Sequence, residues 1–412
     1  MDLLVTNATL LDLESGERIE GSSVRVEGRR IVEVGRGERL RAGDEVTRID
    51  AGGRTLLPGL IDAHVHAALT TMDLAALGRR PPTRIGIEAK AILEGMLRRG
   101  FTTVRDAGGL DRGIAEALEA GLITGPRVLR SGRVLSQTGG HGDTVPVGDE
   151  PHLCACRIRS TGFAHVADGP DAVRRAAREE LKGGAHQIKV MAGGGVATPT
   201  DPIDMVQYTR AEIEAAVEEA AARRTYAFAH AYVPDAIVRA VEAGVRSIEH
   251  GNLLDAEAAR VMAAHGCYLV PTLVTYDAIA AFGRQLGFPA GSLRKLDEVI
   301  DAGARAIELA LDAGVRVGFG TDLLGETHDQ QSRELELRAR VQPPLDVLRS
   351  ATLVNAELLG LAGEVGVVAP GASADLLLVD GDPLADIGVL VGPGDHLDLV
   401  VRAGEVVVHR LA

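Results

Sequence analysis

The chain has 412 residues, and 44 Lys and Arg against 58 Asp and Glu leave a formal net charge of −14. Hydrophobic residues are 46% and charged ones 25%, which is globular composition and excludes a disordered chain, while the acidic balance excludes a nucleic-acid partner. No apolar run approaches the roughly 20 residues that span a bilayer, no secretory pattern opens the chain, and three cysteines cannot build a disulfide framework, so a cytoplasmic protein without a membrane partner is expected.

Residues 3–11, 23–26, 30–34 and 54–56 are short β-type runs separated by polar turns. Strands are then predicted over 56–65, 102–106, 127–135, 187–191, 226–231, 247–249, 267–272 and 316–321. Amphipathic helices alternate with them over 87–99, 113–120, 172–183, 210–223, 234–243, 255–265 and 302–313, with more helix over 344–359. Runs 374–379, 397–403 and 405–409 return to the β texture of the N-terminus. Fifty glycines, 3% aromatics and no tryptophan leave a core of Ala, Val, Leu and Ile, which suits a parallel sheet buried on both faces. The α/β reading is a (β/α)8 TIM barrel over 57–360, with a small β-sandwich formed by both chain ends, 1–56 plus 361–412. An open doubly wound sheet is the alternative, and the missing G-x-G-x-x-G after the first strand counts against it.

Residues that carry chemistry fall at the strand ends, the face on which barrel enzymes keep their sites. In Asp62-Ala63-His64-Val65-His66 the two histidines stand at i and i+2 and share one face of a strand, where neutral imidazoles suit zinc and similar cations. Lys189, His230, His250 and Asp322 close four further strands. A lysine in the apolar stretch Ile188-Lys189-Val190-Met191 must be paired, neutral or modified, because a bare buried ammonium is costly. It either pairs with an aspartate or, its pKa lowered by desolvation, takes up CO2 as a carbamate that can bridge two cations. Tyr232 shares the face of His230, and His141 lies in a Gly-rich loop after the third strand. Each is either a substrate contact or ordinary packing. Gly194, within Gly193-Gly194-Gly195, either offers a backbone N–H to a carboxylate or makes a tight turn, and Tyr276 is placed to line the pocket after strand seven.

The set His-x-His, Lys, His, His and Asp at these strand ends resembles the binuclear form of the amidohydrolase superfamily, and the flanking sandwich extends the likeness to the whole chain. Thr102-Thr103-Val104-Arg105-Asp106-Ala107-Gly108-Gly109, Gly139-Gly140-His141-Gly142-Asp143, Ile188-Lys189-Val190-Met191-Ala192-Gly193-Gly194-Gly195, Ala229-His230-Ala231-Tyr232 and Arg246-Ser247-Ile248-Glu249-His250-Gly251-Asn252 look like the narrower prolidase-like and Xaa-Arg/Lys dipeptidase group. The resemblance implies two divalent cations, taken as zinc. His64, His66 and Asp322 would hold one, His230 and His250 the other, and a CO2-derived carbamate on Lys189 would bridge them. It further implies attack by a metal-bridging hydroxide, with Asp322 moving the proton and with His141 and Tyr232 on the reacting carbonyl or the substrate carboxylate. The substrate implied is a small molecule with an amide bond and a free carboxylate, a dipeptide or an N-acyl amino acid, and the relatives suggest a homo-oligomer.

A non-peptide amide, lactam, carbamate or ester hydrolase on the same site, a mononuclear deaminase and a non-catalytic scaffold are the competing readings. Cys154-Ala155-Cys156 has the wrong spacing for a zinc knuckle, and Cys267 reads as core. His152, His165, His186 and His265 read as surface or supporting residues. Arg105-Asp106 reads as an internal ion pair behind the site, and His328 as a residue near the pocket.

Overall fold

The computed structural model describes residues 2–36, 46–144, 162–198 and 201–411. Alternating aliphatic residues near the N-terminus form β1 (Leu3–Leu11), β2 (Arg18–Glu27) and β3 (Arg30–Arg36), followed by a short β4 (Thr47–Asp50) that periodicity did not reveal. The run expected as one strand over 56–65 is two, β5 (Thr55–Pro58) and β6 (Leu60–Val65). Gly59 makes the corner between them. A Cβ there would lie 2.0 Å from Thr102 Oγ1, so only glycine lets the backbone pass.

From β6 the chain alternates strand and helix. The strands are β7 (Phe101–Asp106), β8 (Arg127–Arg130), β9 (Val134–Ser136), β10 (Ala164–Val166), β11 (Ile188–Met191), β12 (Ala227–Ala231), β13 (Ser247–His250) and β14 (Tyr268–Val270). Between them run α1 (Pro82–Arg98), α2 (Arg112–Glu119), α3 (Pro170–Lys182), α4 (Arg210–Ala222), α5 (Pro234–Glu242), α6 (Ala256–Ala264), α7 (Leu273–Phe282), α8 (Ala290–Val299) and α9 (Ala302–Asp312). The strand expected over 127–135 is broken into β8 and β9 at Gly132, whose φ of +73° turns the chain aside. The stretch 316–321 is extended but bridges its neighbour only at Val317–Leu269.

Parallel pairing runs β6-β7-β8 and β9-β11-β12-β13-β14. Backbone hydrogen bonds join these sheets into one ring. His186 N–H donates to Arg130 O (2.8 Å) between β8 and the start of β11. Leu269 N–H donates to Arg316 O (3.0 Å), and Ala63 N–H to Phe319 O (2.9 Å), so residues 316–321 act as the eighth stave and close the (β/α)8 barrel. Asn355, just beyond a π-turn, donates its side-chain amide to both Ile61 O and Phe319 O (2.8 Å each) and pins that seam.

Barrel strands contribute Val190, Ala229, Ile248 and Leu269 to a core completed by Ala176 of α3, Ile213 of α4, Ile237 of α5, Met262 of α6 and Ala310 of α9. Each large aliphatic side chain buried there stabilises the fold by about 1.5–3 kcal/mol. At the other end of the chain, β15 (Leu376–Val379), β16 (Leu397–Arg402) and β17 (Glu405–His409) join β5 to give an eight-stranded sheet of order β17-β16-β15-β5-β1-β2-β3, with β4 on β1. One face closes over Leu3, Val5, Val24, Leu56, Leu376 and Leu399. The opposite face sends Leu57, Leu377, Val379 and Val400 against Leu93, Met96 and Leu97 of α1, which makes one core with the barrel.

Candidate metal centre and active site

His64 and His66 leave β6 on one face, as their spacing demands, and Asp62 stays behind them. The Asp62 carboxylate accepts from His64 N–H (3.0 Å), Thr321 Oγ1 (2.7 Å) and Gln331 Nε2 (2.9 Å), and burial raises its pKa to about 6 against those donors. Lys189 lies within β11, His230 within β12, and His250 ends β13. Asp322 follows the eighth stave. His250 and Asp322 both have left-handed backbone, φ +73° and +53°. For non-glycine residues this costs of order 1–3 kcal/mol each, a strain that clusters where side chains must be aimed.

These residues converge. His64 Nε2 and His66 Nε2 lie 3.3 and 3.1 Å from Asp322 Oδ1. Ligand atoms of His64, His250 and Asp322 all fall within 4.8 Å of one another. Ring centroids step from His66 to His64 (5.3 Å), to His250 (5.0 Å) and to His230 (4.7 Å). Burial would raise the Asp322 pKa, but His64, His66 and His250 overcome it and hold the carboxyl well below its usual range. Burial, then the neighbouring His141, His250 and Lys189, pushes the His230 pKa far down, and burial does the same for His250, so both rings are neutral. His66 is raised, because Asp322 and Asp106 outweigh its burial.

Each imidazole has one nitrogen committed elsewhere. His64 Nδ1 bonds Glu249 Oε2 (2.7 Å), His66 Nδ1 bonds Gly108 O (2.8 Å), His250 Nδ1 bonds Thr272 Oγ1 (2.8 Å) and His230 Nε2 bonds Gly194 O (3.0 Å). This is how ligating histidines are oriented, with the opposite nitrogen left as a lone-pair donor. Lys189 supplies the second test of fit. It is 1% exposed, and among the described residues no carboxylate forms a salt bridge with it, so the expected Lys–Asp pair is not found. Its Nζ lies 5.0 Å over the Phe228 ring. Burial lowers its pKa to about 8 despite Glu249 and Asp322. Four converging imidazoles, a carboxylate and a buried amine that no carboxylate salt-bridges among the described residues fit cation binding by these donors.

The partners of several supporting residues could not be read from the sequence. Arg105 does not pair with its neighbour Asp106 as expected. Its Nη2 donates to Glu249 Oε1 (2.8 Å) across the barrel, its Nε to Ala63 O (2.5 Å), and its guanidinium lies 4.0 Å over Phe228. Asp106 instead accepts from the N–H groups of Ala67, Gly108 and Leu110. Glu249, one residue before the ligand-type His250, links Arg105, Ser247 and His64.

Of the other candidates, His141 stacks on His230 with centroids 4.2 Å apart. Tyr232 is 5.0 Å from His230 and accepts from the Tyr276 hydroxyl (3.0 Å), which leaves its own proton free. Burial raises the Tyr232 pKa, so the phenol keeps that proton. Gly194 donates its N–H to Met205 O (2.8 Å) and offers its carbonyl to His230, so that N–H is already engaged. His328 is buried, with Nε2 unpartnered, and burial and Arg99 lower its pKa to about 3. Cys267 is buried, as expected. His186 and His265 are exposed, and His165 is partly buried. His152, Cys154 and Cys156 lie outside the described residues. Among the described residues no helix is long and apolar enough to cross a membrane.

Comparison with known proteins adds independent evidence. Residues 55–407 match the model of the amidohydrolase family. The sequence is 32% identical to the ochratoxinase of Aspergillus niger over 360 residues, 82% of this chain and 72% of that one. Among solved structures, a prolidase complexed with N-methylphosphonate-L-proline superposes with a TM-score of 0.96 at 47% identity, covering 99% of this chain and all of that one. A Xaa-Pro dipeptidase with methionine bound in its active site superposes at 0.88 and 30% identity, covering 98% and 99%.

Proposed function

The chain belongs to the amidohydrolase family and is a hydrolase, and from that premise we propose that it cleaves the amide bond of dipeptides or N-acyl amino acids bearing a free carboxylate, using two divalent cations, taken as zinc. The observation that carries this reading is the buried Lys189 amine, which has no salt-bridge partner among the described residues, set among imidazoles that each have one nitrogen held by a group outside the cluster. His64, His66 and Asp322 would hold one cation, His230 and His250 the second, and a carbamate on Lys189 both. When bound, such cations supply Lewis acidity and make water nucleophilic near neutral pH.

The chain's own groups do the rest. Asp322, held ionised by three imidazoles, takes the proton of the attacking water at its carboxylate and returns it to the leaving amine. The Tyr232 hydroxyl, relieved of donating to Tyr276, is free to donate to the developing oxyanion, and His141 stacks on the His230 ring that Tyr232 also contacts. Tyr276 lines the same pocket. The likeness to prolidases supports a dipeptide substrate with a C-terminal proline. The likeness to an ochratoxinase supports hydrolysis of a non-peptide substrate as the second reading. The same proposal takes 1–56 plus 361–412 as a sheet unit and 57–360 as the catalytic barrel.

Purified protein supplied with zinc, manganese or cobalt should bind more than one metal per chain and release free amino acid from members of a dipeptide and N-acyl amino acid panel. Lys189→Ala should lose most bound metal, by elemental analysis, and activity by at least about 10²-fold. Full metal content and unchanged turnover in Lys189→Ala would remove the lysine bridge. A wild-type enzyme that cleaves nothing in the panel would remove the amide substrate.

A further inference from the structure

His141 sits in a loop after β9 and is stacked face to face on His230, and among the described residues its ring is held from outside that loop. Its anchors come from two other parts of the chain. Nδ1–H donates to Asp201 Oδ2 (2.9 Å), and the same oxygen accepts from Gly195 N–H (2.9 Å) and Gln207 Nε2 (3.4 Å). The His141 backbone is held in parallel, its N–H donating to Gln207 Oε1 (2.9 Å) and its carbonyl accepting from Thr198 Oγ1 (2.6 Å). Gly195 is glycine because the imidazole rests on its Cα. A Cβ there would come within 2.1 Å of His141 Cε1.

Asp201 is fully buried, and an isolated carboxylate in such a place is costly. Its counter-charge is Lys295, on α8, a helix inserted between β14 and the eighth stave. Lys295 Nζ is 3.4 Å from Asp201 Oδ1 and also donates to Gly195 O (3.0 Å), Thr198 O (2.7 Å) and Asp201 O. The ammonium therefore ties together the backbone carbonyls of the very segment that carries Asp201. Ser292, one turn earlier on α8, donates to Ala197 O (3.3 Å) and reinforces the join.

We propose that Asp201 and Lys295 are positioning residues that act through His141. Asp201 fixes the Nδ1-protonated tautomer and turns Nε2 away from itself, on the side of the ring opposite the carboxylate, while Lys295 locks the loop that carries Asp201. This rests on the reading of His141 as a group that touches the reacting carbonyl or the substrate carboxylate. Neither Asp201 nor Lys295 hydrogen-bonds or ion-pairs with His64, His66, Lys189, His230, His250 or Asp322, and the latch meets that set only where His141 stacks on His230. Its effect falls on chemistry, since misplacing a reacting group by about 1 Å can cost about 10²-fold.

The test is a double-mutant cycle on the metal-loaded full chain, with the best-cleaved amide of the panel. Asp201→Ala should lower kcat by on the order of 10²-fold and Lys295→Met by about tenfold, with KM little changed and bound metal per chain unaltered. Lys295→Arg should recover most of the loss seen in Lys295→Met. In a His141→Ala background neither substitution should lower kcat further. Equal losses in both backgrounds, or loss of metal, would overturn the proposal. If Asp201→Ala does not fold, Lys295→Met, which is partly exposed, carries the same cycle.

A second readout needs no substrate. In the 15N spectrum of labelled histidines, the ring that disappears in His141→Ala should be the Nδ1-protonated tautomer, and should become a mixture in Lys295→Met or Asp201→Ala. An Nε2-protonated ring in the unmodified protein would refute the latch. A protein that cleaves no amide but shows the Nδ1 tautomer overturns only the proposed substrate.

Discussion

Glu249 shows how much one side chain can do in a barrel interior. Its two oxygens serve different masters, Oε2 orienting His64 and Oε1 receiving Arg105 and Ser247, and none of the three partners is exposed. Burial opposes its ionisation, but Arg105 and His64 outweigh it and hold the carboxyl far below the ordinary range. Glu249→Gln keeps the shape and removes the charge. Arg105 is then buried without its counter-ion, which costs about 3–5 kcal/mol by the usual penalty for a broken buried pair. Losing the carboxylate behind a ligating imidazole weakens metal binding by about 10–100-fold. We therefore expect Glu249→Gln to show both a lower unfolding midpoint in urea and a right-shifted zinc titration. A midpoint unchanged from the parent would mean that Arg105 finds another acceptor.

At the scale of elements, the ends of strands were legible and the seams between them were not. His64 and His66 could be read because a strand repeats every two residues, and Lys189 because an ammonium is conspicuous in an aliphatic run. The corners at Gly59 and Gly132 escaped, since an aliphatic run looks the same whether or not the chain turns inside it. Arg105–Glu249 and Asp201–Lys295 escaped for a different reason: the partners are brought together by closure of the ring, which leaves no local trace.

Another such contact holds α7. Glu334, on α10 (Arg333–Ala339), accepts from Val274 N–H (2.7 Å) at the first turn of α7, and its other oxygen is buried without a partner. Burial raises its pKa to about 8, against the pull of Arg338 and those backbone donors. Between the ordinary glutamate range and about pH 8 the folded chain keeps a proton that the unfolded chain has released. Stability from this group is therefore full at low pH and is lost as pH rises through that window. Glu334→Gln cannot ionise, so its denaturation midpoint should fall less between pH 5 and pH 8 than that of the parent. Parallel slopes for the two proteins would show that Glu334 is ionised in the fold.

For the molecule as a whole, the shared core between the end sheet and α1 decides how it unfolds. Leu57, Leu377 and Val400 belong to the same cluster as Phe101, Phe319 and Leu348 of the barrel, so neither part can be exposed without opening the other. Calorimetry should record one cooperative transition whose calorimetric and van't Hoff enthalpies agree. Chelation should lower its temperature, since any ligand bound only by the folded form is lost. Two resolved transitions, with the smaller insensitive to chelator, would mean that the sheet and barrel melt apart.

The route by which β5 acquires its second neighbour has a cost in time. β15 lies beside it in the finished sheet, and Thr55 Oγ1 bonds Gly381 O across 326 positions of chain. While the nascent polypeptide is still emerging from the ribosome, the edge of β5 stays open until the whole barrel has been synthesised. Such an edge invites pairing with another molecule's strand. Slow translation or scarce chaperones should therefore harm the yield of this protein more than its final stability would suggest.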